Sequence, residues 1–370
     1  MPDDSYKGDS PNKKVVRCNV WLFLLDIMHA LGIKPKAALV LAGHGGDLSV
    51  LSGGIHALGQ DANKFIRNST AIDVIAKHVA DCKEEYGCHG EVGTVVDRVH
   101  LAQPYNMSHM DFCNGLSLDN VHSTIEAIRN AEGPLTFHAV TIMRGRENKK
   151  TEKHDILVDT KASLRLRRHW AREMKKHFGR RWPPTRLFEP GYFNVTEALR
   201  DTLKCLRKDI RKHTTIAKTS YFNDKGKLTY AGTSAIRVKL FWGMIAAALS
   251  RTHFTQVIYI NAYQSHTREK RGTPFVTFVM AAMKIGSTAF EAEFNNRLFD
   301  MAMKTAEKHP LHLQKGTKYY GAKAGHDKMI ERALQLDDFY GAKMAAQLLN
   351  VSTGTIAAWK AHKTRGTYVA

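Results

Sequence analysis

Ala37 to Ala42 (AALVLA) is an unbroken apolar run that passes directly into Gly43-His44-Gly45-Gly46-Asp47 and then into a helical stretch opening near Leu48. A short apolar strand, a glycine-rich turn and a helix in that order aim backbone N–H groups and a helix N-terminus at whatever lies beyond the carboxyl end of the strand. The same pattern also suits a close strand-to-helix connection with no ligand. The next strand decides between the two. Ser69 to Val74 (STAIDV) reads as a second strand ending in Asp73, thirty positions after Gly43. A doubly wound fold uses an acid there to accept hydrogen bonds from ribose hydroxyls, usually at a spacing of about 20 residues. The longer spacing requires extra helix or loop between Gly53 and Asn68, and the alternative role of Asp73 is to cap the succeeding helix.

Strand and helix patterns continue to alternate. Gly93 to Val99 (GTVVDRV) is expected as a third strand containing Asp97, and Ser108 to Cys113 (SHMDFC) as a fourth ending at Asp111 and opening into the turn pair Asn114-Gly115. Leu135 to Met143 (LTFHAVTIM) is a fifth, followed by Arg144. Beyond a helix over Val238 to Leu249, Gln256 to Ala262 and Thr273 to Met283 flank the polar loop Tyr263 to Gly272, which makes them an antiparallel hairpin. The expected fold is therefore α/β, a mostly parallel seven-stranded Rossmann-like sheet ending in an antiparallel hairpin. The expected organisation is an N-terminal arm and amphipathic helix over 1–35, a cofactor-binding half over 36–150, a basic insert over 151–235, the last helix and hairpin over 236–285, and a helical region over 286–370. Val15 to Leu31 is broken by Arg17, Asn19, Asp26 and His29 before the ~18–20 apolar residues of a membrane span, so no membrane partner is expected.

In this outline the chain resembles the class I S-adenosylmethionine-dependent methyltransferases, over roughly 36–143 and 238–283. The resemblance implies S-adenosylmethionine as cofactor. It assigns Gly43, His44, Gly45 and Gly46 to the methionine and sugar, Asp73 and Val74 to the nucleoside, Asp97 to the adenine amine, and Asp111 and Asn114 to the methyl-transfer edge. The family places an acid two residues before the first glycine; Leu41 stands there, so Asp47 is the candidate anion for the sulfonium and amino group. The Asp/Asn-Pro-Pro-aromatic tetrapeptide of amino-methylating enzymes is absent, with Asp111-Phe112-Cys113-Asn114 in its place. Set against the lysine–aspartate–lysine–glutamate tetrad of ribose methyltransferases, Lys36 and Asp111 fill two places and Arg144 stands for the second lysine. An arginine there stabilises charge without serving as a base. Asp111 is the candidate for aligning the acceptor and removing its proton, its other role being to cap the turn at Asn114-Gly115.

Charge points to the partner. Fifty-five Lys and Arg against 35 Asp and Glu give a net +20, the footprint of a polyanion-binding protein. It is densest between Arg144 and Arg186, where Arg165, Arg168, Arg172, Lys175, Lys176, Arg180 and Arg181 surround Trp170 and Trp182, cations alternating with stacking surfaces. Near the carboxyl end, Ala342 to Leu349 and Thr353 to His362 read as two helices joined at a turn capped by Ser352. They resemble a helix-turn-helix over about 341–363 with Thr355 and Lys360 on its exposed face, or else a plain helical hairpin packed on the main domain. Nucleic acid, DNA ahead of RNA, is the expected partner. The five cysteines form no framework, and His78, Cys82, Cys88 and His89 are badly spaced for zinc, so no metal is expected and the thiols fit a cytosol, a host's cytosol if the chain is viral. The reading is a methyltransferase acting on nucleic acid; the rival is a non-catalytic DNA-binding protein on a degenerate methyltransferase scaffold.

Overall fold

A computed structural model describes residues 11–43, 46–112, 115–143, 230–249, 251–267, 270–286, 298, 301–302, 304–305, 322–349 and 351–364. His44, Gly45, Asn114, Arg144 and the basic insert with Arg165, Arg168, Arg172, Lys175, Lys176, Arg180 and Arg181 lie outside the described residues.

Seven strands form one sheet: β1 (Ala38–Leu41), β2 (Thr70–Asp73), β3 (His89–Val92), β4 (Met107–Asp111), β5 (Leu135–Met143), β6 (His253–Thr267) and β7 (Lys270–Lys284), in the order β3-β2-β1-β4-β5-β7-β6. β1 to β5 run parallel, and β7 is inserted antiparallel between β5 and β6. The expected α/β architecture with its antiparallel end is the observed one. The order of the strands switches direction between β1 and β4, and the carboxyl ends of strands at such a switch point are where α/β sheets bind ligands.

Helices cover both faces. One face holds α1 (Pro11–Ala30) and α2 (Gly46–Ala57); the other holds α5 (Val95–Arg98), α6 (Leu118–Arg129) and α7 (Tyr230–Leu249), through Val95, Val121, Ile125, Phe241 and Ile245. α3 (Ala62–Asn68) and α4 (Ala76–Tyr86) take up the long interval before β2 and β3. The carboxyl-terminal helices α8 (Ala322–Tyr340), α9 (Ala342–Leu348) and α10 (Thr353–Thr364) complete the fold, with α8 lying on α1 and α9 on α2.

Two elements differ from expectation. The third strand is His89–Val92, and 95–98 is helical. Gly93, at φ +150°, ends the strand, and Thr94 Oγ1 then accepts Asp97 N–H at 3.2 Å as an N-cap, so Asp97 lies in a helical first turn. β3 pairs only with β2 and buries no full face, which is why HGEV lacks a strand's apolar signature. α1, in turn, is no amphipathic surface helix. Val15 to Leu25 are all buried, as are Ile27 and Met28, because α1 is enclosed by α2, β6 and α8.

The two carboxyl-terminal helices fall where the sequence placed them. Ser352 Oγ accepts Thr355 N–H at 3.0 Å, capping α10. α9 docks on α2 at Gly53, where a Cβ would stand 3.2 Å from Leu348 Cδ2, and Gln347 Nε2 donates to Ser52 Oγ at 3.0 Å.

Candidate functional site

The glycine turn meets the acid that ends β2. Gly43, held at φ +43°, donates its N–H to Asp73 Oδ2 at 3.2 Å. Asp73 Oδ1 accepts Ile75 N–H at 2.9 Å, closing the turn into α4, and His78 Nδ1 stands 3.0 Å from Oδ2. Asp73 thus ties the glycine turn to the carboxyl end of β2. Beside it the chain exposes apolar surface: Val74 is 66% exposed, Ile75 39% and Val92 44%.

A buried ionic cluster lies at the carboxyl ends of β1 and β4. Asp47, in the first turn of α2, receives Trp21 Nε1–H at 2.6 Å, faces His109 Nδ1 at 2.7 Å and is ion-paired with Arg17 Nε at 3.4 Å. Burial alone would raise its carboxyl. The charges of His109 and Arg17 and the hydrogen bonds from His109 and Trp21 outweigh that and hold it at about 2. His109 continues the chain of contacts, its Nε2 lying 2.9 Å from Thr141 Oγ1, which is 2.7 Å from Thr277 Oγ1. Asp111, at the tip of β4, is paired with Lys13 Nζ at 2.9 Å and Arg17 Nη2 at 3.6 Å. Burial again opposes ionisation, and Lys13, His109 and Arg17 overcome it, so Asp111 is also held below the usual carboxylate range. Its second oxygen, Oδ1, is buried without a hydrogen-bond partner among the described residues.

The sequence pointed to Asp47, Asp73, Val74 and Asp111, and all four lie at this edge. It did not point to Lys13, Arg17, Trp21 or His109. The first three recur every four residues along α1, one helical stripe turned toward the acids, and His109 lies two residues before Asp111 on the same face of β4. Asp97 is capped by Thr94, whose Oγ1 donates to its carboxylate at 2.6 Å in an exposed turn. Lys36 is a correction. It precedes β1 at the amino edge, its N–H bonded to Asn106 Oδ1 at 3.0 Å and its amine paired with Glu132 at 3.6 Å. Since Ala38 lies opposite Met107, Lys36 is about six residues, or ~20 Å, from Asp111 along the strands and shares no site with it.

Other residues singled out in the sequence have structural partners. Cys82 Sγ donates to Ala42 O and Cys88 Sγ to Cys82 O, each at 3.5 Å, and no group among the described residues is arranged to hold a metal ion. Thr355 Oγ1 is 2.7 Å from Ser352 Oγ, and Lys360 Nζ donates to the buried Asp337 at 2.8 Å. No described helix is long and apolar enough to cross a membrane.

No protein-family model matches the chain, and no curated protein sequence does. Solved structures with some likeness include the plantazolicin methyltransferase BpumL in complex with a pentazolic desmethylPZN analog and SAH, 8% identical with a TM-score of 0.35, covering 73% of this chain and 85% of that one. Another is a putative sarcosine dimethylglycine methyltransferase from Galdieria sulphuraria, 11% identical with a TM-score of 0.29, covering 72% of this chain and 85% of that one. The architecture itself rests on the order and directions of the seven strands.

Proposed function

We propose that this protein is an S-adenosylmethionine-dependent methyltransferase whose acceptor is a nucleic acid. The observation that carries the reading is the buried Asp111 Oδ1, an acceptor oxygen without a hydrogen-bond partner among the described residues, set at the switch point of a sheet with this strand order. An orphaned buried carboxylate oxygen is costly unless something cationic or N–H-bearing completes it.

The residues at the edge fit the cofactor from end to end. Asp73 keeps acceptor capacity for ribose hydroxyls, and Val74, Ile75 and Val92 offer apolar surface to the base. At the other end a zwitterionic amino-acid head finds both signs of charge, Asp47 and Asp111 for an ammonium and Lys13 and Arg17 for a carboxylate. Bound there, the cofactor would supply an activated methyl group on a sulfonium. Asp111, ionised and weakly basic, would stabilise positive charge developing on an acceptor nitrogen more readily than it would deprotonate a hydroxyl beforehand. Trp21 and His109 keep Asp47 ionised and oriented. The positive charge of the chain supports a polyanionic substrate.

Thermal unfolding with increasing S-adenosylmethionine tests the reading. A ligand confined to the folded state adds about 2.7 kcal/mol at a hundredfold excess over its Kd. Dose-dependent stabilisation is expected for the wild type and its loss in Asp73→Ala, followed by transfer of labelled methyl to DNA or RNA. No stabilisation of the wild type at millimolar cofactor would leave the scaffold without its cofactor and favour the non-catalytic nucleic-acid-binding alternative.

A further inference from the structure

The carboxylate of Asp73 is held from three directions. Gly43 donates its N–H to Oδ2 at 3.2 Å from the glycine turn, and Ile75 donates its N–H to Oδ1 at 2.9 Å from the entry to α4. His78, in the first turn of α4, brings Nδ1 to 3.0 Å from Oδ2. An ionised carboxylate only accepts, so Nδ1 carries the hydrogen of that contact. A carboxylate offers about four acceptor places, two on each oxygen. Among the described residues, Gly43 and His78 fill both places on Oδ2, and Ile75 leaves one place on Oδ1. Both side chains of the Asp73–His78 pair are partly exposed, so a ligand reaches it.

A ribose presents two neighbouring hydroxyl donors, and gripping a carboxylate with both places one on each oxygen. The first finds the open place on Oδ1. The second needs a place on Oδ2, so one of the two donors already there has to leave. Gly43 N–H belongs to the backbone just after β1, where Ala42 N–H is bonded to Ile72 O at 3.0 Å, and it cannot withdraw without breaking the sheet edge. His78 reaches Oδ2 through a side chain. It can turn to another rotamer while its own N–H stays on Ile75 O at 3.0 Å and α4 stays folded. A sugar with a single hydroxyl, as in a 2′-deoxynucleoside, uses the place on Oδ1 and leaves His78 where it is.

Building on the nucleoside end of the proposed function, we infer that His78 is a specificity-determining residue for the sugar: it occupies the place on Asp73 Oδ2 that a ribose diol must take, and so weakens binding of ribonucleosides while leaving 2′-deoxynucleosides unaffected. The test is thermal unfolding of the full-length chain with increasing adenosine, 2′-deoxyadenosine and S-adenosylmethionine, for the wild type, His78→Ala and His78→Gln. For equal stabilisation His78→Ala should need about tenfold less adenosine than the wild type, the low end for a hydrogen bond to a charged group at a partly exposed site, and within about twofold the same 2′-deoxyadenosine. His78→Gln, whose amide still donates to Oδ2, should stay within about threefold of the wild type on both nucleosides. An equal gain on the two nucleosides in His78→Ala, no gain on adenosine, or no stabilisation of either protein by adenosine would overturn the inference. Stabilisation by adenosine but not by S-adenosylmethionine would defeat the methyltransferase reading and leave the nucleoside comparison to decide on His78. Stabilisation by S-adenosylmethionine with no difference between wild type and His78→Ala on adenosine would defeat the inference and leave that reading standing.

Discussion

Trp21 donates its indole N–H to Asp47 Oδ1 at 2.6 Å, which joins the helix that precedes the sheet to the acid that ends the glycine turn. Both residues are buried, and the same carboxylate holds His109 and Arg17. α1 is thereby part of the candidate site as well as part of the core.

Removing the indole donor and removing the carboxylate should therefore differ in size. Trp21→Phe leaves Asp47 with His109 and Arg17 and should lower stability by about 1–3 kcal/mol. Asp47→Ala leaves Arg17 buried with one carboxylate fewer and should cost about 3–5 kcal/mol. Urea unfolding measures both. Equal losses would assign the effect to packing of the indole.

Acid sensitivity should begin with His138. Its Nδ1 lies 2.8 Å from Ser108 Oγ and its Nε2 2.8 Å from Thr136 Oγ1. Burial, reinforced by His253, lowers it from 6.5 to about 3. The folded protein keeps this imidazole neutral where the unfolded chain takes up a proton. Its contribution is complete above about 6.5 and declines by about 1.4 kcal/mol per pH unit toward pH 3. Asp47 acts lower, its contribution being lost only as pH falls from about 3.8 to about 2. In His138→Gln, unfolding free energy should vary less between pH 6.5 and 4 than in the wild type; an unchanged profile would exclude His138 as the source.

Adjacent glycines in α2 should respond differently to alanine. A Cβ on Gly54 would collide with Leu25 Cδ1, a buried side chain with little room to move, so Gly54→Ala should cost about 1–3 kcal/mol despite its better helix propensity. On Gly53 the nearest atoms are at 3.2–3.4 Å, and a gain of up to about 1 kcal/mol in propensity should roughly balance the crowding against α9. Thermal melts of the two single variants compare them directly.

Asn19 on α1 and Asn261 on β6 are buried with amide atoms that close no hydrogen bond of ordinary length among the described residues. Phe23, one helical turn after Asn19, packs at 4.4 Å on Tyr259, two residues before Asn261. Asn19→Leu/Asn261→Leu should leave the melting temperature unchanged or raise it, since an apolar pair removes an uncompensated polar burial. A large drop would mean that ordered water completes these amides.

Lys360 is held by Asp337 at 2.8 Å, and that contact raises its pKa. Lys360→Met should lower the melting temperature by exposing the unbalanced Asp337, while leaving the salt slope of nucleic-acid binding unchanged. A smaller slope would instead give Lys360 a phosphate contact, as its place on α10 suggests from sequence.

The fold was legible because its elements announce themselves locally. AALVLA, LTFHAVTIM and TPFVTFVMAAM are long apolar runs that only central strands of a covered sheet can use. β3 escaped because an edge strand needs no such run, and Gly93-Thr94 carries a helix-start pattern that apolar Val95 and Val96 obscured. Lys36 enters the site only through the resemblance to the ribose methyltransferase tetrad, and the β1–β4 register puts it at the far end of the sheet from Asp111.

For the site, the sequence by itself pointed to the glycine turn and the acids Asp47, Asp73 and Asp111, because Asp73 and Asp111 end strands, Asp47 opens the helix after β1, and the carboxyl ends of parallel strands share one edge. Tertiary structure alone decided what those acids touch. Lys13, Arg17 and Trp21 precede the sheet in sequence and read as part of an amphipathic helix. Enclosing α1 between α2, β6 and α8 turns their stripe onto Asp47 and Asp111. Charges removed from water must be balanced by whatever side chains the packing brings near, and that proximity across tens of residues is a property of the fold rather than of any local stretch of chain.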